Sequence, residues 1–414
     1  MRAVCLLAAA LALSGCASTA GEESATVAAS STDVRAFAEL YRQRHPDPFH
    51  ALPQADFTAA RDALAARAGT LEPDALLVEL MRFGALAGPR DGHTGLFVLD
   101  PAHRRPLNLY PLRLYDFPDG VHVVAQLAAR RDLIGKRVVS VGGMPIAEAL
   151  AKVRPLVPRD NEHSLRARAV QWLVTAEVLH GLGISDDAHS TRFGFADGTD
   201  AELEPVTAAR YTAGFPDLFH PMVPQGLPQR SSPPFLRNRL SPTRLQLLGN
   251  GRAVYLAYNV TTVSTHDLAA RIRKLAARPQ VDRVILDLRH NPGGDNFTYP
   301  PLLTALQELP RRVRLFVLVG RTTFSAAENL AADLEQTARP RFLGEPTGGS
   351  PNLYGDTAAL QLPESGWNVH VATIYWLKTH RGDRRLAIAP HEPVPYTAAD
   401  FFGGRDPVLA RTLR

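Results

Sequence analysis

Residues 321–328 read Arg-Thr-Thr-Phe-Ser-Ala-Ala-Glu, and they join an apolar run at 314–320 (Arg-Leu-Phe-Val-Leu-Val-Gly) to a helix-like run at 329–336. An apolar run too short for a helix predicts a buried strand, and its abrupt passage into helical spacing predicts a sharp strand-to-helix turn. The first residues of such a helix expose unpaired N–H groups and the positive end of the helix dipole. Ser325 stands at that tip, where negative charge developing on its oxygen, or on a carbonyl it attacks, meets backbone donors. The same spacing, Ser325 with Glu328 three residues on, is also a capping box, in which the serine caps the helix and the glutamate reaches back. On these eight residues alone, the capping box is the commoner explanation.

A second stretch separates the two. Residues 281–296 read Val-Asp-Arg-Val-Ile-Leu-Asp-Leu-Arg-His-Asn-Pro-Gly-Gly-Asp-Asn. The apolar residues 284–288 predict a strand that runs into Asn291-Pro292-Gly293-Gly294, where paired glycines let backbone N–H groups turn toward a ligand. In isolation Pro-Gly-Gly marks a tight turn. Taken in this order, the two stretches resemble the tail-specific, or C-terminal-processing, serine proteases, a family that includes the tricorn core and the interphotoreceptor retinoid-binding proteins. The resemblance runs roughly over residues 75–410. It is sharpest at Asp287-Leu288-Arg289, Asn291, Gly293-Gly294 and Ser325-Ala326-Ala327-Glu328.

The resemblance implies an α/β fold with a crotonase- or ClpP-like catalytic core over residues 245–414 and a serine-type endopeptidase activity on a polypeptide substrate. Ser325 would be the nucleophile, and the amides of Gly293 or Gly294 and of Ala326 would form the oxyanion hole. Residues 88–95 read Gly-Pro-Arg-Asp-Gly-His-Thr-Gly. A lone histidine in a glycine-rich loop is ordinarily a turn residue. The tricorn-like and retinoid-binding-like branch carries an Asp-x-His-Thr element here, so the resemblance makes His93 the general base, a task suited to a group that titrates near neutrality. In the bacterial processing branch a lysine from a downstream glycine-rich loop activates the serine instead. Here that loop, 344–352, reads Gly-Glu-Pro-Thr-Gly-Gly-Ser-Pro-Asn, and Ser350 holds the matching position. The acid expected from the C-terminal stretch falls beside Arg384, which makes Asp383 the candidate third member, against the alternative of a solvated turn acid. The missing lysine and the displaced acid also motivate a rival: a catalytically inactive peptide- or lipid-binding protein on the same fold.

The chain has 414 residues, 45% hydrophobic and 21% charged, enough for two or three domains. Its net charge of +5 is modest, and its only lysines are Lys136, Lys152, Lys274 and Lys378. No dense basic block points to nucleic acid. Fourteen histidines lie without His-Glu-x-x-His or comparable spacing, so neither metal nor cofactor is expected. Residues 1–20 combine one charge, an apolar run too short to span a bilayer and small residues, which predicts an export signal. Leu13-Ser14-Gly15-Cys16 resembles a bacterial lipobox, which implies acylation of Cys16 and a lipid anchor at the periplasmic or cell-surface face, the outer membrane being favoured over the inner. Residues 21–31 read as a tether.

Beyond it, residues 32–100 predict a helical unit ending in the His93 loop, with helices over 33–42, 55–67 and 74–86 and a short strand at 96–99. Residues 101–210 predict a small β-rich domain resembling a PDZ domain, with a helical insertion at 159–183 and a groove of the kind that accepts a peptide as an added strand. Proline-rich residues 211–244 predict a linker or lid.

Overall fold

The computed structural model describes residues 31–127, 131–216 and 232–414. The export signal, Cys16 and the tether up to residue 30 lie outside the described residues, as do positions 217–231 of the proline-rich stretch. Among the described residues no helix is long and apolar enough to cross a membrane.

The core is a six-stranded sheet in the order Glu392–Pro393, Arg341–Gly344, Arg314–Val319, Arg283–Asp287, Ala253–Tyr258, Thr243–Leu248. Every neighbouring pair is parallel except the last, where Thr243–Leu248 runs antiparallel along the edge. Strands buried on both faces carry continuous apolar runs, and the side-chain alternation divides them between two cores. Val254, Leu256, Val284, Leu286, Val317 and Phe342 point to one face, under the helices His266–Ala276, Pro300–Gln307 and Ala326–Thr337. Tyr255, Ile285, Phe316, Leu318 and Leu343 point to the other, with Val408 and Leu409 of the last helix. Parallel strands joined by helices bring several strand ends to one edge of the sheet, which is where a cleft forms. Gly293, Gly294 and Ser325 all lie just past such strand ends.

The helical unit forms as its spacing predicts. Ser31–Arg44 buries Val34, Phe37, Ala38 and Tyr41, an i, i+3, i+4, i+7 stripe, and is joined by Gln54–Arg67 and Pro73–Gly84. Asp33 locks the first helix to a distant turn by accepting the amides of Glu364 at 2.9 Å and Ser365 at 2.8 Å. The β-rich part contains the hairpin Leu112–Phe117 with Gly120–Gln126 and an antiparallel sheet of Met144–Pro145, Val138–Val141, Thr191–Phe195 and Asp200–Leu203. The helices Glu162–Trp172 and Ala176–Gly181 interrupt it. One large apolar cluster unites the helical unit, these sheets and the long hairpin Asn352–Gln361 with Asn368–Leu377.

Two local expectations differ from the structure. Residues 96–99 form no strand: only Gly95 pairs, with His370 of the long hairpin. The ladder goes no further because the Phe97 carbonyl is taken by His103 Nε2 at 2.7 Å and by the Asp100 amide at 3.4 Å, which turns the segment back on itself. The described ends of the proline-rich stretch are also packed, since Tyr211, Phe215, Phe235 and Leu236 are all buried. Composition concealed these four anchors among prolines and arginines.

Candidate active site

Ser325 has φ 55° and ψ −126°, a conformation that costs a non-glycine residue about 1–3 kcal/mol. Its surroundings hold it there. Thr323 Oγ1 donates to the Leu288 carbonyl at 2.8 Å and accepts the Gly320 amide at 3.1 Å, which fixes the chain just before the serine to the end of the neighbouring strand. The Phe324 amide donates to the Asn291 carbonyl at 3.2 Å. No capping box forms, because Ser325 makes no side-chain cap bond to its helix. Glu328 is fully buried and its carboxyl instead accepts Thr347 Oγ1 at 3.0 Å. Burial pushes that carboxyl well above the usual range, which favours its protonated form.

The Ser325 hydroxyl lies 3.0 Å from His93 Nε2, across 232 positions of sequence. The loop that delivers the imidazole is fastened three times. Asp91 Oδ1 accepts the amides of His93 at 3.1 Å and Thr94 at 2.9 Å, while its Oδ2 meets His45 Nε2, from the end of the first helix, at 3.1 Å. Asp160 accepts the Gly92 amide at 2.7 Å. The imidazole then stacks on Phe324 with ring centres 4.6 Å apart, and the Arg168 guanidinium lies 4.3 Å from the centre of the same ring. The enclosing protein strips water from His93 and lowers its pKa to about 4, against the pull of Asp91 and with a further push from Arg168. The ring is therefore neutral at physiological pH and able to accept a proton. Its Nδ1 is buried with no aligned hydrogen-bond partner among the described residues, and the main chain of Tyr354 only weakly favours the protonated ring.

Backbone donors converge opposite. Asn291 organises the turn, with Nδ2 on the Tyr258 carbonyl at 2.9 Å and Oδ1 accepting the Gly293 amide at 2.9 Å. That bond engages the Gly293 N–H and leaves the amides of Gly294 and Ala326 with no acceptor among the described residues. The glycines are required by space as well as by conformation. A Cβ on Gly293, at φ +108°, would lie 2.5 Å from Ser325 Cβ and 2.9 Å from the Ala326 nitrogen. One on Gly294 would lie 2.1 Å from the Thr261 carbonyl oxygen.

Of the sequence candidates, Ser325, His93, Gly293, Gly294 and Ala326 therefore come together, and Asp383 stands apart from His93. The Asp383 carboxylate is engaged by Arg385 at 2.7 Å and by Thr379 Oγ1 at 3.0 Å, and the Arg385 contact chiefly holds it far below the usual carboxylate range. The acid next to Arg384 points toward its own turn because Arg385, two residues on, captures it. Ser350 is buried; its amide donates to Asp160 and its hydroxyl to the Leu386 carbonyl. The Lys378 amine sits 2.9 Å from both Asp333 and the Tyr299 hydroxyl, away from the serine. Sequence reasoning missed Asp160, Arg168 and His45. The one signal nearby was Asn161-x-x-Ser164, which forms a capping box at the start of Glu162–Trp172 and so places Asp160 and Arg168 at the loop. Among the described residues no group of three or more His, Cys, Asp or Glu side chains is placed to hold a metal ion.

No family model and no curated protein sequence matches this chain. Solved structures do. Mature CPAF complexed with lactacystin is 13% identical, with 92% of this chain and 96% of that chain covered and a TM-score of 0.61. A point mutant of CPAF gives 12% identity, 92% and 95% coverage and a TM-score of 0.62. This chain has the CPAF fold. The CPAF likeness takes in so much of the chain that the helical unit and the β-rich part belong to it along with the core. The photosystem II D1 C-terminal processing protease is 14% identical over 87% of this chain and 92% of that one, with a TM-score of 0.38.

Proposed function

We propose that this chain is a serine-type endopeptidase of the tail-specific kind, hydrolysing a polypeptide through an acyl-enzyme on Ser325. The observation that carries this reading is the 3.0 Å approach of His93 Nε2 to the Ser325 hydroxyl, beside the amides of Gly294 and Ala326, which have no acceptor among the described residues. In the first half of the reaction the hydroxyl proton passes to His93 Nε2 as Ser325 Oγ bonds to the substrate carbonyl carbon. The oxygen of that carbonyl takes up the negative charge against the Gly294 and Ala326 amides, whose orientation is set before the substrate arrives. His93 returns the proton to the leaving amine, the C–N bond breaks, and a water molecule repeats the sequence on the ester. The Gly293 amide acts indirectly, holding the turn through Asn291. With no acid on Nδ1, the imidazolium formed in this cycle is supported by the Asp91 charge and the Phe324 face. The crotonase- or ClpP-like core, the peptide groove in the β-rich part and the Cys16 lipid anchor at the periplasmic or cell-surface face belong to the same proposal.

A second reading is a binding protein that keeps the fold without turnover, and the lack of an acid at His93 Nδ1 among the described residues is the observation in its favour. Labelling with a fluorophosphonate probe separates the two. The peptidase reading requires labelling that disappears in Ser325→Ala and falls by a factor of 100 or more in His93→Ala, consistent with the scale of general-base catalysis. Absence of labelling in the wild type, or persistence in Ser325→Ala, removes it.

A further inference from the structure

The cleft that opens at Ser325 and His93 continues into a cavity of about 440 Å³. On the scale of about 30 Å³ per liquid water, it has room for on the order of ten waters, far more than catalysis at one carbonyl needs. Ser164, Ala167, Arg168 and Gln171 line one wall, the i, i+3, i+4, i+7 face of the helix Glu162–Trp172. Most of the remaining lining is apolar, including Phe97, Leu99, Trp172 and Phe324. We propose that this cavity receives a bulky, uncharged side chain, aromatic or long aliphatic, from the substrate residue whose carbonyl Ser325 attacks, and that Ala167 sets its depth. The inference rests on the peptidase reading.

Position supplies the first argument. A carbonyl carbon bonded to Ser325 Oγ, with its oxygen toward the Gly294 and Ala326 amides, leaves the adjoining Cα and its side chain at the cavity mouth, which the serine and the histidine themselves line. Charge supplies the second. The acid in the lining, Asp100, is already engaged by His370 Nε2 at 2.6 Å and Asn368 Nδ2 at 2.7 Å. Arg168 and Arg321 also line the wall, so a lysine or arginine side chain would meet two guanidinium groups and no free anion. An acidic side chain gains little in return: Arg168 Nη1 holds the Gly92 and Pro158 carbonyls at 2.7 and 2.9 Å, and the Arg321 guanidinium, although its Nη2 has no aligned acceptor among the described residues, is drawn away by the Asp116 carbonyl at 2.6 Å from Nη1, the Glu345 carboxylate at 3.4 Å from Nε and the Tyr115 ring. Such a carboxylate would lose its water against Phe97, Leu99 and Trp172. A small side chain would leave the cavity unfilled.

A peptide series varied only at that residue (Phe, Leu, Ala, Glu, Lys) tests this on the full mature chain. The expected result is a kcat/KM at least tenfold higher for Phe and Leu than for Ala, Glu or Lys, the scale at which apolar pockets discriminate. Ala167→Leu should lower the Phe-to-Ala ratio at least tenfold, and Ala167→Val, a milder change that guards against misfolding, should lower it less. A preference for Ala, Glu or Lys, or a ratio untouched in both folded variants, overturns the proposal. Anisotropy of the same labelled peptides on Ser325→Ala reads the preference without turnover, so a failed peptidase reading shows in the fluorophosphonate experiment and a failed subsite shows here. Equal binding of the Phe and Ala peptides would overturn the subsite even in a chain that hydrolyses nothing.

Discussion

The Ser350 amide donates to the Asp160 carboxylate at 2.8 Å, at the position where the lysine-dependent proteases that this sequence resembles carry their base. The other Asp160 oxygen accepts the Gly92 amide, so one buried carboxylate ties the histidine loop to the loop at 344–352. Burial pushes Asp160 up to about 7, against the two amide hydrogen bonds and Arg168, with Asp91 adding to the rise. A raised carboxyl pKa means that the native state holds the proton over a range where the unfolded chain has lost it. Stability from this group is thus present at low pH and lost as pH rises from about 4 through about 7. His93 contributes the opposite slope below its unfolded pKa, so the comparison is between wild type and Asp160→Asn, where that contribution cancels. Between pH 5.5 and 7.5 the urea-derived stability of the wild type should fall relative to Asp160→Asn by on the order of 2 kcal/mol. Parallel pH curves would show that Asp160 does not titrate there.

The depressed His93 pKa makes a separate prediction for activity. With the folded value at about 4, the ring stays neutral from pH 5.5 to 8, and the labelling rate of Ser325 should be flat there and fall only near pH 4. Arg168 is one of the groups that push the value down. Removing its charge in Arg168→Gln should move the acid limb upward from its wild-type position, with burial still holding it below 6.5, and lower labelling near pH 4 more than at pH 8. An acid limb near 6.5 in the wild type would show that the ring is hydrated and that its stack on Phe324 does not persist in solution.

Much of this arrangement was legible in the sequence, for a physical reason that also marks its limit. The strand ends, the Pro292-Gly293-Gly294 turn and the Ser325 helix start are local, each written in a few consecutive residues by apolar spacing and backbone requirement. The resemblance then supplied His93, which no spacing argument could pair with Ser325 across 232 positions. Asp383 illustrates the limit, because the fate of an acid beside two arginines depends on which one turns toward it. Asp160 and Arg168 were invisible because they act on backbone groups of a remote loop, and an amide acceptor has no sequence signature of its own. Likewise, the Ser325/Glu328 pair fits a capping box in sequence, and only the tertiary contacts with His93 and Thr347 draw both side chains away from it.

Lys378 offers a check on the histidine reading. Its part-buried amine pairs with the Tyr299 hydroxyl and with Asp333, about two turns along the helix that begins after Ser325. Lys378→Ala should cost up to about 1 kcal/mol of stability, the scale of a partly exposed ion pair, and leave the labelling rate within about twofold of wild type. A loss comparable with that of His93→Ala would mean that the lysine reaches the serine in some other arrangement of the chain.

Gly294 tests the oxyanion donors. A methyl group there meets the Thr261 carbonyl oxygen at 2.1 Å, and the backbone, at φ +138°, is unsuited to any residue with a Cβ. The turn must therefore move in Gly294→Ala, and its amide with it. Labelling should fall by a factor of about 100 or more, the loss seen when one oxyanion donor is removed. Near-normal labelling of a folded Gly294→Ala would assign the donors to other amides.

Glu328 lies beneath the nucleophile, packed so tightly against Gly349 that a Cβ on that glycine would come within 2.7 Å of the glutamate side chain. Its Oε2 has no partner among the described residues and its Oε1 accepts Thr347 Oγ1, so burial favours the protonated group. Glutamine has nearly the same shape and no charge at any pH. Because the folded pKa is raised, the wild type loses stability as pH climbs above the unfolded value near 4.5, and Glu328→Gln does not share that loss. Its melting temperature relative to wild type should therefore rise as pH climbs above 4.5, with labelling of Ser325 retained. Glu328→Ala, by contrast, opens a void under the helix and should cost about 2–4 kcal/mol at every pH. If Glu328→Gln instead abolished labelling while remaining folded, the carboxylate would have to be ionised in the working enzyme and would itself be part of the proton chemistry at Ser325.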